Sequence, residues 1–285
     1  MNLHEIAHEI RECVEKRRQE LELTFVEEDH VYFMKDLSGK IKSNFPSVSK
    51  VIKNFYIPFD AEAKSLQMTN GDLVKQQELL NEWKSAADYA TNMGSRVHYV
   101  LENELVKQYN DFKNVREPIF QCDEQQLQRS DNMILAGKNF LNLMHERGAV
   151  LLDTEMILGD PELGYTGQPD KIWLMNNKEK NGFGFVITDW KTNQPKNFKI
   201  QPYTGKMLHP FQNFHDTALS HYYLQLPLYG KLLIKMLEYS KFSNIKLLGC
   251  VVVLLKDDGT FEEFRVPPEI SQTILNMKRK QYLKK

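Results

Sequence analysis

The chain has 285 residues, of which 41% are hydrophobic and 26% charged, proportions typical of an ordinary globular protein with a sizeable core. Its formal net charge is −1, so binding of a polyanion would need a local cluster of Lys and Arg rather than an overall positive field. The three cysteines form no CxxC pair and no apolar segment is long enough to cross a bilayer, which excludes cysteine-based metal sites and a membrane anchor and favours a reduced, cytoplasmic protein.

The first half of the chain is predicted to be mostly helical. Apolar residues at helical spacing predict a helix over residues 2–20, and the alternating segment after it predicts two short paired strands. Ser47 is a candidate cap for a short helix that follows. Helical patterns then run from about residue 72 to 107, with a possible break near residues 92–94, and from about 124 to 147.

The second half is predicted to form a sheet with helical cover. The predicted strands lie at residues 149–158, 167–175, 182–191, 245–255 and 260–266. A helix from about residue 216 to 239 interrupts them, and another closes the chain. We therefore expect a single α/β domain with a mixed sheet, whose helical part is about residues 1–147 and whose sheet-containing part is about residues 148–285.

Two acidic residues are predicted to meet in this sheet. Asp170 opens one predicted strand and Asp189 lies near the end of the next, so a hairpin would place their carboxylates side by side. Two close carboxylates repel each other unless a cation lies between them, which favours Mg²⁺ or Mn²⁺. Lys191 shares a strand face with Asp189, whereas Trp190 points the other way. The alternative is a surface hairpin with a solvated ion pair.

A helical motif supplies a candidate nitrogen ligand. In GSRVHYVLENEL, residues 94–105, His98 and Glu102 lie four residues apart and therefore on one helix face. Gly94 and Ser95 are expected to leave space at the start of this helix. The alternative interpretation is an exposed helix pair without a ligand.

A second helical motif lies nearer the carboxyl end of the chain. In YYLQLPLYGKLL, residues 222–233, Gln225 and Tyr229 share a helix face and are candidates to contact a phosphate or a base edge. The alternative is a core helix whose polar groups bond to neighbouring backbone. This motif by itself predicts little.

Together these motifs resemble a known nuclease family. In chain order they are G-S-x-x-H-x-x-x-E, G-x-x-D, D-W-K-T and Q-x-x-x-Y, between about Phe45 and Tyr229. The series resembles the RecB-type nuclease branch of the PD-(D/E)XK superfamily. The resemblance implies a restriction-endonuclease-like fold and a Mg²⁺- or Mn²⁺-dependent deoxyribonuclease. It further implies a stand-alone, phage-like exonuclease acting in DNA recombination, repair or replication.

The resemblance also implies roles for individual residues. The catalytic residues would be Asp170, Asp189 and Lys191. The metal ligands would be His98, Asp170, Asp189 and the backbone carbonyl of Trp190. Supporting roles would fall to Glu102, Glu155, Gln225 and Tyr229. The four-cysteine iron–sulfur cluster of some family members is not expected, because three cysteines cannot form it.

A basic segment is the predicted DNA track. Residues 191–206, KTNQPKNFKIQPYTGK, contain several lysines with no acidic neighbour after Asp189. The candidate DNA contacts are Lys196, Lys199, Tyr203 and Lys206, with Phe198 as a further stacking residue. The expected partner is DNA that is single-stranded or has accessible ends. Because the chain lacks a Walker-A motif, a separate helicase or recombination protein is a candidate second partner.

Two other functions stay open at the level of the sequence. One is a catalytically inactive nuclease fold that serves as a DNA-binding or assembly module, and the other is a hydrolase of small phosphate esters. The presence of His98, Asp170, Asp189 and Lys191 favours the active nuclease. The motifs leave open whether one or two metal ions bind, and a bacterial or phage-infected cell is the expected setting.

Overall fold

The fold is described from a computed structural model, which covers residues 2–109, 120–177, 182–198, 200 and 204–283. Within these residues the chain forms eight α-helices and ten strands. The helices are α1 (Leu3–Leu21), α2 (Val48–Val51), α3 (Ala61–Met68), α4 (Leu73–Tyr109), α5 (Glu124–Glu146), α6 (Ala218–Met236), α7 (Pro268–Asn276) and α8 (Arg279–Tyr282). The strands are β1 (Thr24–Val26), β2 (Val31–Lys35), β3 (Ile41–Lys42), β4 (Val150–Thr154), β5 (Leu158–Asp160), β6 (Tyr165–Gly167), β7 (Lys171–Asn177), β8 (Gly182–Lys191), β9 (Leu247–Leu255) and β10 (Phe261–Arg265).

A mixed five-stranded sheet with the order β10-β9-β8-β7-β4 lies at the centre of the fold. Strands β7 and β8 pair antiparallel, as the sequence predicts, whereas β8 and β9 pair parallel with α6 between them in the chain. Strands β1 to β3 form a small antiparallel sheet and β5 pairs with β6. The mixed α/β class expected from the sequence is therefore confirmed.

Helices cover both faces of the central sheet. On one face, α6 packs against β8 and α1 against β4 and β7, and the alternate β8 residues Phe185 and Ile187 belong to the core between them. On the other face, α4 and α5 pack against Trp173 and Trp190. The period of two along β8 therefore places Asp189 on the face of Ile187 and Trp190 on the face of α4 and α5.

Local capping interactions define the beginnings of the helices that frame the site. The side chain of Asp123 accepts a hydrogen bond from the Gln126 N–H and the Gln126 side chain accepts one in return, which forms a capping box at α5. Thr217 accepts a hydrogen bond from the Ser220 N–H at the start of α6. Helix α6 contains Pro227 and buries its apolar face in the core.

Three local predictions are wrong in detail. Helix α4 is continuous through residues 92–94, where the sequence suggested a possible break, so Gly94 lies within the helix rather than at its start. The predicted strand at residues 149–158 is divided between β4 and β5. Ser47 lies at the N-cap position of α2, but its side chain forms no capping hydrogen bond. Propensity patterns do not include the tertiary contacts that decide these points.

None of the helices in the described parts of the chain has both the length and the apolar character needed to cross a bilayer.

Candidate metal centre

The candidate site lies where three neighbouring strands end or begin. Asp170 directly precedes β7, Asp189 and Lys191 end β8, and Glu155 directly follows β4. The backbone N–H of Glu155 donates a hydrogen bond to the Asp170 carbonyl over 3.2 Å. Glu155 has a left-handed backbone with φ of 46°, an uncommon conformation for a residue other than glycine. This bend follows directly on β4 and aims the Glu155 side chain at Asp170.

Three side chains converge at this position. One ligand atom each from His98, Glu155 and Asp170 lies within 4.8 Å of the other two. His98 Nδ1 lies 3.5 Å from Asp170 Oδ2. Helix α4 crosses the sheet on the face of Trp190 and so brings His98 to strands that lie more than 50 residues further along the chain. The predicted pairing of His98 with Asp170 is therefore present, and Glu155 completes the cluster.

Asp189 lies beside this cluster rather than within it. Its carboxylate is buried, and Oδ2 lies 2.5 Å from Lys191 Nζ. Burial, together with the nearby Asp170 carboxylate, raises the pKa of Asp189 to about 6. The sequence-based ligand set included Asp189, whereas the three-residue cluster has Glu155, to which the sequence assigned only a supporting role.

The backbone of Trp190 connects the candidate ligands. Its N–H donates a hydrogen bond to Asp170 Oδ2 over 2.7 Å, and its carbonyl lies close enough to the His98 ring to favour the protonated imidazole. The side chain is fully buried on the opposite face, where its ring contacts Phe140 with centroids 5.3 Å apart. The carbonyl predicted to bind metal therefore lies next to His98.

The electrostatic environment of the site suits a divalent cation. Burial lowers the pKa of His98 to about 3, with Lys191 and Lys171 adding to the effect, so the imidazole is neutral near pH 7 and able to act as a ligand. Burial and then the carboxylates of Asp170 and Glu102 raise the pKa of Glu155 well above its usual range. One imidazole and two neighbouring carboxylates could hold a metal ion, because a cation would relieve the repulsion between the carboxylates.

Lys191 is held from two sides. Its Nζ lies near the Asp189 carboxylate and 4.4 Å from the centroid of the Tyr222 ring. The Tyr222 hydroxyl donates a hydrogen bond to Asn193 Oδ1 over 3.0 Å. Burial lowers the pKa of Lys191, but the charges of Asp189 and Asp170 and the hydrogen bond with Asp189 together outweigh it and raise that pKa above its usual range. Sequence reasoning missed Tyr222, which lies one helical turn before Gln225 on α6.

Tyr229 and Gln225 occupy different surroundings despite their shared helix. Tyr229 is buried, and burial, followed by the charges of Asp189 and Asp170, raises its pKa well above the usual value. A Cβ on Gly167 would lie 2.5 Å from the Tyr229 ring, so only glycine leaves space for it. Gln225 instead donates a hydrogen bond to Ser49 over 3.0 Å.

The helical motif around His98 also depends on the lack of a side chain at Gly94. A Cβ on Gly94 would lie 2.9 Å from the hydroxyl oxygen of Thr192, directly after Lys191. The glycine therefore allows α4 to approach the end of β8. Glu102 lies one turn beyond His98 on the same helix and acts on Glu155 and Lys171 through its charge.

The predicted DNA track is only partly described. Lys196 is exposed in a short 3-10 helix, Pro195–Phe198, and Lys206 is exposed with Nζ 3.1 Å from His215 Nε2. The predicted stacking role of Phe198 is wrong, because its side chain is buried and packs against Phe264 at 5.3 Å. Lys199 and Tyr203 lie outside the described residues.

Neither the protein-family models nor the curated proteins that were compared with this chain match it. Two features of the site determine the chemistry it can perform. One is the cluster of an imidazole and two carboxylates, and the other is the Lys191 ammonium group held beside the Asp189 carboxylate.

Proposed function

We propose that this chain is a metal-dependent DNA nuclease with the restriction-endonuclease-like fold of the PD-(D/E)XK superfamily, in its RecB-type branch. The observation that supports this function is the convergence of His98, Glu155 and Asp170 within 4.8 Å, next to the Asp189–Lys191 pair. Phosphodiester hydrolysis needs a cation to stabilise charge on the phosphate and an activated water as nucleophile. This group of residues offers positions for both.

The residues that would hold the metal are His98, Glu155 and Asp170, with Asp189 and the Trp190 carbonyl beside them. A bound Mg²⁺ or Mn²⁺ would supply Lewis-acid polarisation of the phosphate and a lowered pKa for an attacking water. The Trp190 N–H orients Asp170 by its hydrogen bond, and the neutral imidazole of His98 offers a nitrogen lone pair.

Lys191 would act directly on the reacting phosphate. Its ammonium is charged at neutral pH, and Asp189 and Tyr222 hold it in place. A fixed positive charge aimed at the phosphate offsets the negative charge that develops in the transition state. The same ammonium can donate a hydrogen bond to the attacking water. Asp189 in turn favours the protonated form of the lysine.

DNA would approach through the exposed lysines beyond β8. Lys196 and Lys206 are exposed within 16 residues of Lys191 along the chain, and each phosphate contact would make binding more sensitive to salt. Action on single strands or accessible DNA ends, as an exonuclease, is part of the proposal. A separate helicase or recombination protein would then supply the accessible strand.

End-labelled linear DNA, single- and double-stranded, provides the test. Cleavage is measured with Mg²⁺, Mn²⁺ or EDTA for the wild type, Asp170→Asn, Lys191→Met and a control, Lys42→Met, at an exposed lysine on β3. We expect metal-dependent cleavage by the wild type and the control alone. DNA binding without cleavage by the wild type would identify an inactive binding module instead. Hydrolysis of a small phosphate ester that excess DNA does not inhibit would identify a small-molecule hydrolase.

A further inference from the structure

Aromatic side chains lead away from Lys191 towards the segment between α2 and α3. The ring of Tyr222 lies 4.4 Å from Lys191 Nζ, and His221 is the residue before Tyr222 on α6. The His221 ring stacks on the ring of Tyr56, with centroids 3.7 Å apart and planes 17° apart. This stacking places the segment that carries Tyr56 next to the part of α6 that holds Lys191.

A second pair of rings lies close to Tyr56. Phe59 is three residues further along the chain, so the Cα atoms of the two residues are at most about 11 Å apart. The Phe59 ring contacts Trp83 of α4, with centroids 5.7 Å apart, yet 71% of Phe59 is exposed, as is 71% of Ile57. Large apolar side chains so open to water, and so close together, are typical of a binding surface. Tyr56, Phe59 and Trp83 thus form an aromatic row.

Two lysines lie beside this row. Lys50 in α2 and Lys53 in the 3-10 helix Ile52–Phe55 are three residues apart on one exposed face, whereas Phe55 points into the core. Neither lysine forms an ion pair with another residue in the described ranges. The charges of this lysine pair are therefore available to phosphate groups.

The acidic side chains of this surface interact with groups of the protein itself. Asp60 accepts a hydrogen bond from the Ala63 N–H over 2.9 Å at the start of α3. Asp216 Oδ1 lies 2.6 Å from His221 Nε2, and Glu62 accepts a side-chain hydrogen bond from α4 over 3.1 Å. The exposed rings and the lysine pair thus remain for a ligand that combines flat apolar groups with negative charges.

We propose that the aromatic row and the lysine pair bind single-stranded DNA, with unpaired bases stacked on the rings and phosphates against the lysines. In a duplex the bases already stack on one another, so their faces are closed to these rings and the surface selects single strands. The inference rests on the proposed function, because it names the form of DNA that this surface leads to the site. It adds a surface separate from the exposed lysines beyond β8.

The affinity for single strands tests the aromatic row. Fluorescence anisotropy is measured with labelled oligothymidine of about 15 nucleotides and with a duplex of that length, both with slowly cleaved phosphorothioate linkages, in Mg²⁺ and in EDTA. We expect Phe59→Ala to raise the Kd for the single strand about fivefold to a hundredfold and to leave the Kd for the duplex within about twofold of the wild-type value. Tyr239→Ala is the matched control, because Tyr239 is 76% exposed and lies beyond the other end of α6. Its Kd values should equal those of the wild type.

The salt dependence of binding tests the lysine pair. Each phosphate that a protein neutralises on a single strand contributes about 0.7 to the slope of log Kd against log salt concentration. We therefore expect that slope to fall by about 1.4 in the double variant Lys50→Met/Lys53→Met. The double variant Lys40→Met/Lys42→Met, at two exposed lysines next to and on β3, is the control and should keep the wild-type slope.

Several results would overturn the inference. An unchanged single-strand Kd in folded Phe59→Ala, or an equal loss for the duplex, would do so and leave the nuclease proposal intact. A wild type that binds neither form of DNA would contradict both. If Phe59→Ala does not fold, Phe59→Leu, which keeps an apolar contact with Trp83 but removes the ring, decides together with the lysine variants. A wild-type dimer in sedimentation that Phe59→Ala dissociates, with an unchanged single-strand Kd, would assign the surface to a second copy of the chain instead.

Discussion

The backbone N–H of Trp190 donates a hydrogen bond to Asp170 Oδ2 over 2.7 Å, which joins the strand carrying Asp189 and Lys191 to the start of the strand that follows Asp170. The donor is the peptide between Asp189 and Trp190. The position of one acidic side chain is therefore set directly by the backbone that carries the other. This relationship explains how a β-hairpin can hold two motifs of a metal site in a defined geometry.

Asp170 should contribute separately to stability and to metal binding. Asp170→Asn keeps an oxygen acceptor for the Trp190 N–H, whereas Asp170→Ala leaves that buried donor unpaired. We expect the Ala variant to have a free energy of unfolding about 1–3 kcal/mol below that of the Asn variant, measured in urea. Both variants should bind Mn²⁺ more weakly than the wild type. Equal stability of the two variants would show that the hydrogen bond contributes little.

Tyr222 should affect turnover through Lys191. Tyr222→Leu removes the ring that lies 4.4 Å from Lys191 Nζ, whereas Tyr222→Phe keeps it. Since such a contact is worth about 0.5–2 kcal/mol, we expect kcat on a DNA substrate to fall about twofold to thirtyfold in the Leu variant, with KM nearly unchanged. Recovery of kcat in the Phe variant is the control. A loss confined to KM in Tyr222→Leu would place Tyr222 in DNA binding instead.

Gly167 should be intolerant of any side chain. A Cβ there would lie 2.5 Å from the Tyr229 ring and 2.9 Å from the Val48 side chain. We expect Gly167→Ala to reduce the free energy of unfolding by about 1–3 kcal/mol, because both neighbours are buried and cannot easily move. Gly249→Ala on β9 is the matched control, since no heavy atom lies within 4 Å of its Cβ position. An equally stable Gly167→Ala protein would contradict the close approach of Tyr229.

Metal binding should weaken as the pH falls. Burial and the Asp170 carboxylate raise the pKa of Asp189 in the metal-free protein to about 6. Burial and the carboxylates of Asp170 and Glu102 also raise the pKa of Glu155, one of the three proposed ligands, so protons and the cation compete for this acidic cluster and the affinity for Mn²⁺ decreases with falling pH. Between pH 7 and pH 5 we expect the apparent Kd for Mn²⁺ to rise by about tenfold or more. A constant Kd over this range, measured by calorimetry, would show that no proton is displaced.

Sequence periodicity predicted the parts of the site that depend on local structure. The alternation along residues 182–191 places Asp189 and Lys191 on one face and Trp190 on the other, as the structure has them. The antiparallel pairing of β7 and β8 also follows from adjacent predicted strands. These features involve residues that are close together in the sequence. The two-residue period of a strand is therefore enough to predict them.

The remaining features depend on contacts between distant segments. The place of Glu155 in the ligand cluster requires β4 to lie beside β7 and a left-handed residue after the strand. Tyr222 contacts Lys191, and Lys171 contacts Trp190. In both cases the two residues lie in different helices or strands, and no local sequence pattern predicts that these elements pack together. Phe198 alternates with lysines in the sequence, yet tertiary packing buries it. Local patterns cannot report which side chains meet after helices and strands have packed.

Anomalous diffraction offers the most direct test of the proposed metal-dependent nuclease. Crystals would be grown with Mn²⁺ and a short DNA strand whose scissile phosphate is replaced by a slowly cleaved phosphorothioate. We expect a manganese peak at coordination distance from His98, Glu155 and Asp170, with the phosphorothioate bound to the same ion and next to Lys191 Nζ. A manganese peak elsewhere, or DNA bound away from Lys191, would contradict the proposed nuclease centre.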